Sequence, residues 1–201
     1  MWLQRAVEHH PDLIQPPDLP PITWVSPVRS DDMAEYRDGS ALKRLGLSGL
    51  RPALSTFWPR RGPQWDALGL IGERPVLVEA KAHLDEFLTT GTAAGSESLR
   101  RIQAALSDTA NALGAKPAAD WSTVFYQYAN RLAHLHFFHS NGIAAELVFV
   151  SFVGDEQMGG PRSAEVWNAA FRVADHALGI PRSHALSAHV HHICPDVRDL
   201  D

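Results

Sequence analysis

Trp65-Asp66-Ala67-Leu68-Gly69-Leu70-Ile71-Gly72-Glu73-Arg74-Pro75-Val76-Leu77-Val78-Glu79-Ala80-Lys81 decides the reading of this chain. Val76, Val78 and Ala80 alternate with Leu77, Glu79 and Lys81, the period of two that gives a strand two different faces. The first set can pack into a core, while Glu79 and Lys81 project together from the other face. A carboxylate and an ammonium on a strand this rich in Val and Leu are costly unless paired, hydrated or metal-bound.

Trp65 to Ile71 forms the strand before it, and the loop length sets the register. A two-residue turn at Gly72-Glu73 pairs Ile71 with Arg74 and puts Asp66 opposite Glu79. A four-residue loop from Gly72 to Pro75 puts Asp66 opposite Lys81. Both registers bring Asp66 to the face of Glu79 and Lys81, whereas a three-residue loop loses this. Gly72 suits the first position of a two-residue turn, and Pro75 then needs an unpaired edge or a bulge. Two carboxylates and a lysine on one sheet face make a site for a hard cation with a cationic helper.

This arrangement resembles the PD-(D/E)xK nuclease superfamily, the restriction-endonuclease-like fold. Asp66 matches its metal-binding aspartate, and Glu79-Ala80-Lys81 matches its (D/E)xK element on the following strand. Pro63-Gln64-Trp65-Asp66 departs from the pattern, lacking a proline directly before the aspartate. The resemblance extends over roughly residues 31 to 153. It implies an α/β fold with a core of helix, three strands, helix, strand, in which a mixed central sheet is flanked by helices. It also implies Mg2+, with Mn2+ as substitute, held by Asp66 and Glu79 with the Ala80 carbonyl as an extra ligand. Lys81 is then the group that orients or deprotonates the attacking water.

The other elements fill out that order. Residues 2 to 9 suit one or two amphipathic turns. Six prolines between residues 11 and 27 exclude regular helix there. Leu13, Ile14, Ile22, Trp24 and Val25 are too apolar for a free linker. We read residues 1–30 as an ordered extended arm, free to wrap the domain or to reach a second subunit in a homodimer, and residues 31–201 as one nuclease-like α/β domain. Ser30-Asp31-Asp32 offers a cap for a helix over Asp32 to Leu45. On that helix Glu35 is the candidate for the acidic residue that many nucleases of this fold carry on their first core helix. A solvated first-turn glutamate is the competing reading, and Glu8 an alternative position. Ala53 to Pro59 is expected to be the first core strand from Leu54, Thr56, Phe57 and Trp58.

Glu97 to Leu113 and Thr123 to about Ser140 read as helices, each stopped by a glycine that follows. On the second, Phe125, Tyr128, Leu132 and Leu135 form a core stripe, and Gln127, Asn130, Arg131 and His134 form a polar side able to line a cleft. The superfamily often carries a Gln or Lys near its site on this helix, and Gln127 fits best; a plain surface glutamine is the alternative. Ala145 to Val153 reads as a strand buried on both faces. A helix over Ala164 to Leu178 and a strand over His184 to Ile193 complete the chain. His189, His191 and His192 raise a zinc site, against which stands a solvated histidine-rich edge with no cysteine ligand nearby.

The composition bounds these expectations. A chain of 201 residues with 45% hydrophobic content suits one globular domain. The lone Cys194 excludes an internal disulfide framework and a cysteine-based zinc site. No apolar run approaches the roughly 20 residues of a membrane span, and the start lacks the apolar core of a secretory signal, so a cytoplasmic protein is expected. A net charge of −5 argues against a broad basic surface but leaves local ones: Arg60 and Arg61 before the motif, and Arg100 and Arg101 on a later helix. With these the resemblance implies a nucleic-acid partner, DNA rather than RNA. The rival from another class is a non-enzymatic module that keeps the fold and binds nucleic acid or protein in its cleft. A purely structural ion pair, Lys81 neutralising Asp66 and Glu79, is the third reading.

Overall fold

The computed structural model describes residues 2–89 and 91–200. In chain order its elements are α1 (Trp2–His9), β1 (Thr23–Ser26), β2 (Tyr36–Arg37), α2 (Asp38–Arg44), α3 (Arg51–Phe57), β3 (Gln64–Trp65), β4 (Ala67–Ile71), β5 (Arg74–Lys81) and α4 (Leu84–Phe87). They are followed by α5 (Ser96–Ala112), α6 (Tyr126–Ser140), β6 (Glu146–Ser151), α7 (Ala164–Leu178) and β7 (Val190–Ile193). Short 3₁₀ turns link them. A five-stranded mixed sheet in the order β1-β4-β5-β6-β7 forms the centre. The β1–β4 and β4–β5 pairs are antiparallel, and the β5–β6 and β6–β7 pairs are parallel.

Period-two alternation in β5 fills two cores at once. Leu68, Leu77, Leu147 and Phe149 face one side of the sheet, packing with residues of α5, α6 and α7 such as Leu106, Leu132 and Trp167. Val76, Val78, Val148 and Val150 face the other, packing with Leu3, Ala6 and Val7 of α1 and with Val197 and Leu200. The sheet is therefore flanked by helices on both faces, and all six residues of β6 are buried. Gly69 sits mid-strand in β4 for lack of room, since a Cβ there would lie 2.3 Å from the side chain of Ile22.

The hairpin takes the two-residue register. Ile71 pairs with Arg74 and Ala67 with Val78, where the ladder stops; the Asp66 N–H donates to the Val78 carbonyl at 3.2 Å. In such a hairpin the closing pair exchanges the hydrogen bonds, so Pro75 turns its nitrogen to the other edge of β5. Pairing with β6 begins one residue later, at Val76, and no ladder bond is lost.

Two expectations upstream of the hairpin are corrected. Residues 53 to 59 are not a strand; they lie largely in α3, which starts with a proline in its first turn. Leu50, Leu54 and Phe57, spaced i, i+4 and i+7, pack against the core. The first strand of the sheet is instead β1, from within the Pro-rich arm. Gln15 shapes that arm, its Nε2 donating to the carbonyls of Leu19 and Pro20 at 3.0 and 3.1 Å and its Oε1 accepting from the Ile22 N–H at 3.1 Å. Nor does a helix run from Asp32 to Leu45. Asp32 and Met33 adopt left-handed φ values of 48° and 55°, which a right-handed helix cannot contain. The chain turns there, enters β2, and becomes helical only at Asp38.

Candidate functional site

Asp66 lies where two ladders meet. On one side it follows the last β4–β5 pair, Ala67–Val78, its N–H donating to the Val78 carbonyl at 3.2 Å. On the other, β2 pairs with β3 as Tyr36–Trp65 and Arg37–Gln64, and Glu35 directly precedes β2 as Asp66 directly follows β3. Glu35 thus reaches the cleft from an extended segment and not, as expected, from a helix. Its Oε2 accepts from Gln64 Nε2 at 2.7 Å, and it is exposed. Glu8 is drawn off elsewhere, ion-paired with Arg29.

Just past Ala67 the β4–β5 ladder opens, and the Ala80 N–H is left without a strand carbonyl. Asp66 Oδ2 takes it at 2.7 Å. Its Oδ1 accepts no hydrogen bond among the described residues. Burial, reinforced by the negative charge of Glu79, raises the Asp66 pKa to about 7, against the smaller opposing effects of the Ala80 N–H, Lys81 and Arg131.

Glu79 is buried and doubly paired. Lys81 Nζ lies 2.6 Å from Oε1. Arg131 reaches Oε2 with Nε at 2.6 Å and also with Nη2. The guanidinium is held in turn by Asn130 Oδ1 at 2.7 Å, by the Gln64 carbonyl at 3.1 Å, and by the face of Trp65, whose centroid is 4.9 Å away. Arg131 can do this because Glu79 points to the α6 side of the sheet and α6 crosses that face. The sequence places Arg131 on the polar side of α6 but carries no sign that it becomes the partner of Glu79.

Asp66, Glu79, Lys81 and Glu35 line one open cleft of about 790 Å³ with Arg61, Gln127 and Asn130. Gln127 Oε1 is buried there without a hydrogen-bond partner among the described residues. A smaller cavity of about 160 Å³, walled by Trp2, Gln4 and Glu86, touches Glu35, Asp66 and Lys81 from the α1 side. The cleft opens at the carboxyl end of β5 beside the parallel strand β6, the edge at which open α/β sheets bind ligands.

Other expected residues go elsewhere. His134 is buried, its ring 4.7 Å from that of Trp58 and its Nδ1 2.8 Å from the Asn130 carbonyl; burial lowers its pKa to about 3. His83, not singled out above, stands at the N-cap of α4. His189 and His191 close on buried Glu146 at 3.3 and 3.0 Å, where Arg74 Nη1 also donates at 2.8 Å. They serve as its hydrogen-bond partners at the far end of the sheet. Arg100 lines neither the cleft nor the basic cavity beside it.

Among the described residues, no group of three or more His, Cys, Asp and Glu side chains is gathered to hold a metal ion, and no helix is long and apolar enough to cross a membrane. Searches of protein-family models, curated proteins and solved structures find no significant match to this chain.

Proposed function

We propose that the chain is a metal-dependent phosphodiesterase of nuclease type, built on the PD-(D/E)xK core. The observation that carries this reading is that Asp66, Glu79 and Lys81 line one cleft, with Asp66 Oδ2 on the N–H of Ala80, the residue between the other two. Element order supports it as well. Taking α1 as the first helix, β1, β4 and β5 as the three strands, then α6 and β6, the sequence helix, three strands, helix, strand is kept. The core then begins in the arm, with α2, α3 and α5 as additions.

The donor set fits a hard divalent cation. Mg2+ commonly uses one or two protein carboxylates and completes its shell with water and substrate phosphate. Asp66 offers an oxygen without a hydrogen-bond partner, beside a like charge that raises its pKa. Asp66 and Glu79 would hold the ion; Glu35 lines the same cleft, and the Ala80 carbonyl is the further ligand the resemblance implies. Bound there, Mg2+ or Mn2+ supplies Lewis-acid polarisation of a phosphoryl oxygen. Lys81, held against Glu79, orients the attacking water and offsets charge developing on the phosphoryl oxygens. Arg131 fixes the Glu79 carboxylate from behind, and Gln127, with its unpartnered Oε1, accepts a hydrogen from water or substrate. Nucleic acid is the substrate class, DNA before RNA by resemblance.

One observation favours a second reading, a non-catalytic module that keeps this fold to bind nucleic acid or protein. Both oxygens of Glu79 already carry cationic partners, which also suits a structural ion-pair network. Incubating wild type with single- and double-stranded DNA and RNA in Mg2+ or Mn2+ separates the two. The phosphodiesterase reading expects cleavage that EDTA abolishes and that Lys81→Ala nearly eliminates. Intact substrates throughout would leave only the binding module.

A further inference from the structure

Beside the carboxylate cleft lies a second cavity of about 680 Å³, walled by the start of α2, by α3, by the Trp58–Arg61 loop and by Arg101 of α5. Arg51, Arg60, Arg61 and Arg101 line it, and among the described residues Asp38 is its only acidic one. The Asp38 carboxylate is already engaged, accepting the backbone N–H groups of Arg61 and Gly62 at 3.0 and 2.9 Å. Arg51 and Arg101 are each steadied by one backbone carbonyl, Gly39 at 3.1 Å and Ser55 at 3.0 Å, which leaves most of their donors unused. Glu97 reaches Arg101 only loosely, at 3.9 Å. The side chains of Arg60 and Arg61 make no hydrogen bond or ion pair among the described residues, and all four arginines are exposed.

Four cations around one concavity repel one another, and this chain is acidic overall, at −5. An anion entering the cavity offsets that repulsion, and guanidinium donors match phosphate oxygens in pairs. Trp58 and Arg61 line both this cavity and the cleft of Asp66. A phosphate held here therefore adjoins whatever occupies the cleft.

We propose that this arginine cavity is a phosphate subsite, holding a backbone phosphate of the same nucleic-acid strand whose phosphodiester enters the Asp66 cleft. The identity of the strand rests on the phosphodiesterase reading; the affinity for phosphate rests on the cavity. Arg51, Arg60, Arg61 and Arg101 all belong to the segments added around the core, so the subsite is a property of those additions.

The test is fluorescence anisotropy with the full chain and a 5′-labelled single-stranded DNA of about 12 nucleotides, in EDTA so that no cleavage intervenes. Arg60→Ala combined with Arg61→Asn removes two cations that support no other contact; asparagine suits the left-handed φ of 65° at position 61. The double variant is expected to bind at least about tenfold more weakly, with the salt slope of log K reduced by about 1.4, two phosphate contacts' worth on a single strand. Arg60→Lys with Arg61→Lys restores the slope. Unchanged affinity and slope in the double variant overturn the subsite, as does a wild type that binds no DNA. Inorganic phosphate or polyglutamate binding as tightly as the DNA assigns the cavity to a free anion or an acidic protein and overturns the strand. Arginine-dependent binding with no cleavage in Mn2+ sinks the phosphodiesterase reading and keeps a phosphate site; cleavage with indifferent arginines does the reverse.

Discussion

Arg131 and Glu79 stand 52 residues apart in the chain and meet at 2.6 Å, Nε to Oε2, both buried. This contact ties α6 to the carboxyl end of β5 and determines how Glu79 is presented to the cleft. Removing one member of a buried pair costs about 3–5 kcal/mol when the other charge is left unpaired. Arg131→Ala leaves Lys81 against Glu79 and is expected to lose less than that, about 1–3 kcal/mol in urea unfolding. Combined with Glu79→Gln it should lose less than the sum of the single changes, by roughly 1–3 kcal/mol. Strict additivity would show that the two side chains are not coupled.

Asp66 carries a pH signature. Its folded pKa, raised to about 7, exceeds that of an unfolded aspartate, so the native state binds the extra proton between those values. Stability therefore falls as pH rises from about 4 to about 7. Asp66→Asn keeps an acceptor for the Ala80 N–H and loses the titration. In EDTA the variant should be more stable than wild type by about 2–4 kcal/mol near pH 8, with the gap closing toward pH 4. A gap independent of pH would refute the assigned titration.

His134 carries the opposite sign. With a folded pKa near 3, the unfolded state binds more protons as pH drops below the ordinary histidine value, and wild type loses stability on acidification. His134→Gln should be the less stable protein near neutrality, through lost packing against Trp58. Its deficit should shrink by about 2–4 kcal/mol between pH 7 and pH 4, measured by denaturant titration at each pH. A constant deficit would mean that the imidazole is not held neutral.

The hairpin could be read from sequence because a two-residue turn and a period of two leave few registers, and the shortest, Ile71 with Arg74, is the one that forms. Arg131 could not. Helical spacing orders residues around α6, yet α6 is buried nearly all round, so the pattern does not say which side meets β5. Residues 53 to 59 mislead because Leu54, Thr56, Phe57 and Trp58 favour strands, while Pro52 in the first turn and the Leu50–Leu54–Phe57 spacing favour the helix that forms. Glu35 comes to Asp66 through strands of two residues each, too short to leave any periodicity.

Glu146 provides the control. Its buried carboxylate gathers Arg74, His189 and His191 at the opposite end of β5 and β6. Glu146→Ala is expected to cost about 2–4 kcal/mol and to leave divalent-cation binding at the cleft intact, read as the rise in Tm on adding Mn2+. A loss of that rise would move the cation to the histidines.

The most direct measurement is a crystal of the wild-type protein soaked in Mn2+ above pH 7, with the ion located by its anomalous scattering. The account expects one peak bound by the carboxylates of Asp66 and Glu79, at about 2.0–2.3 Å from their oxygens, absent in crystals of Asp66→Ala. No peak there, with Lys81 and Arg131 still closed on Glu79, would contradict a metal-dependent site and leave the three side chains as a structural network.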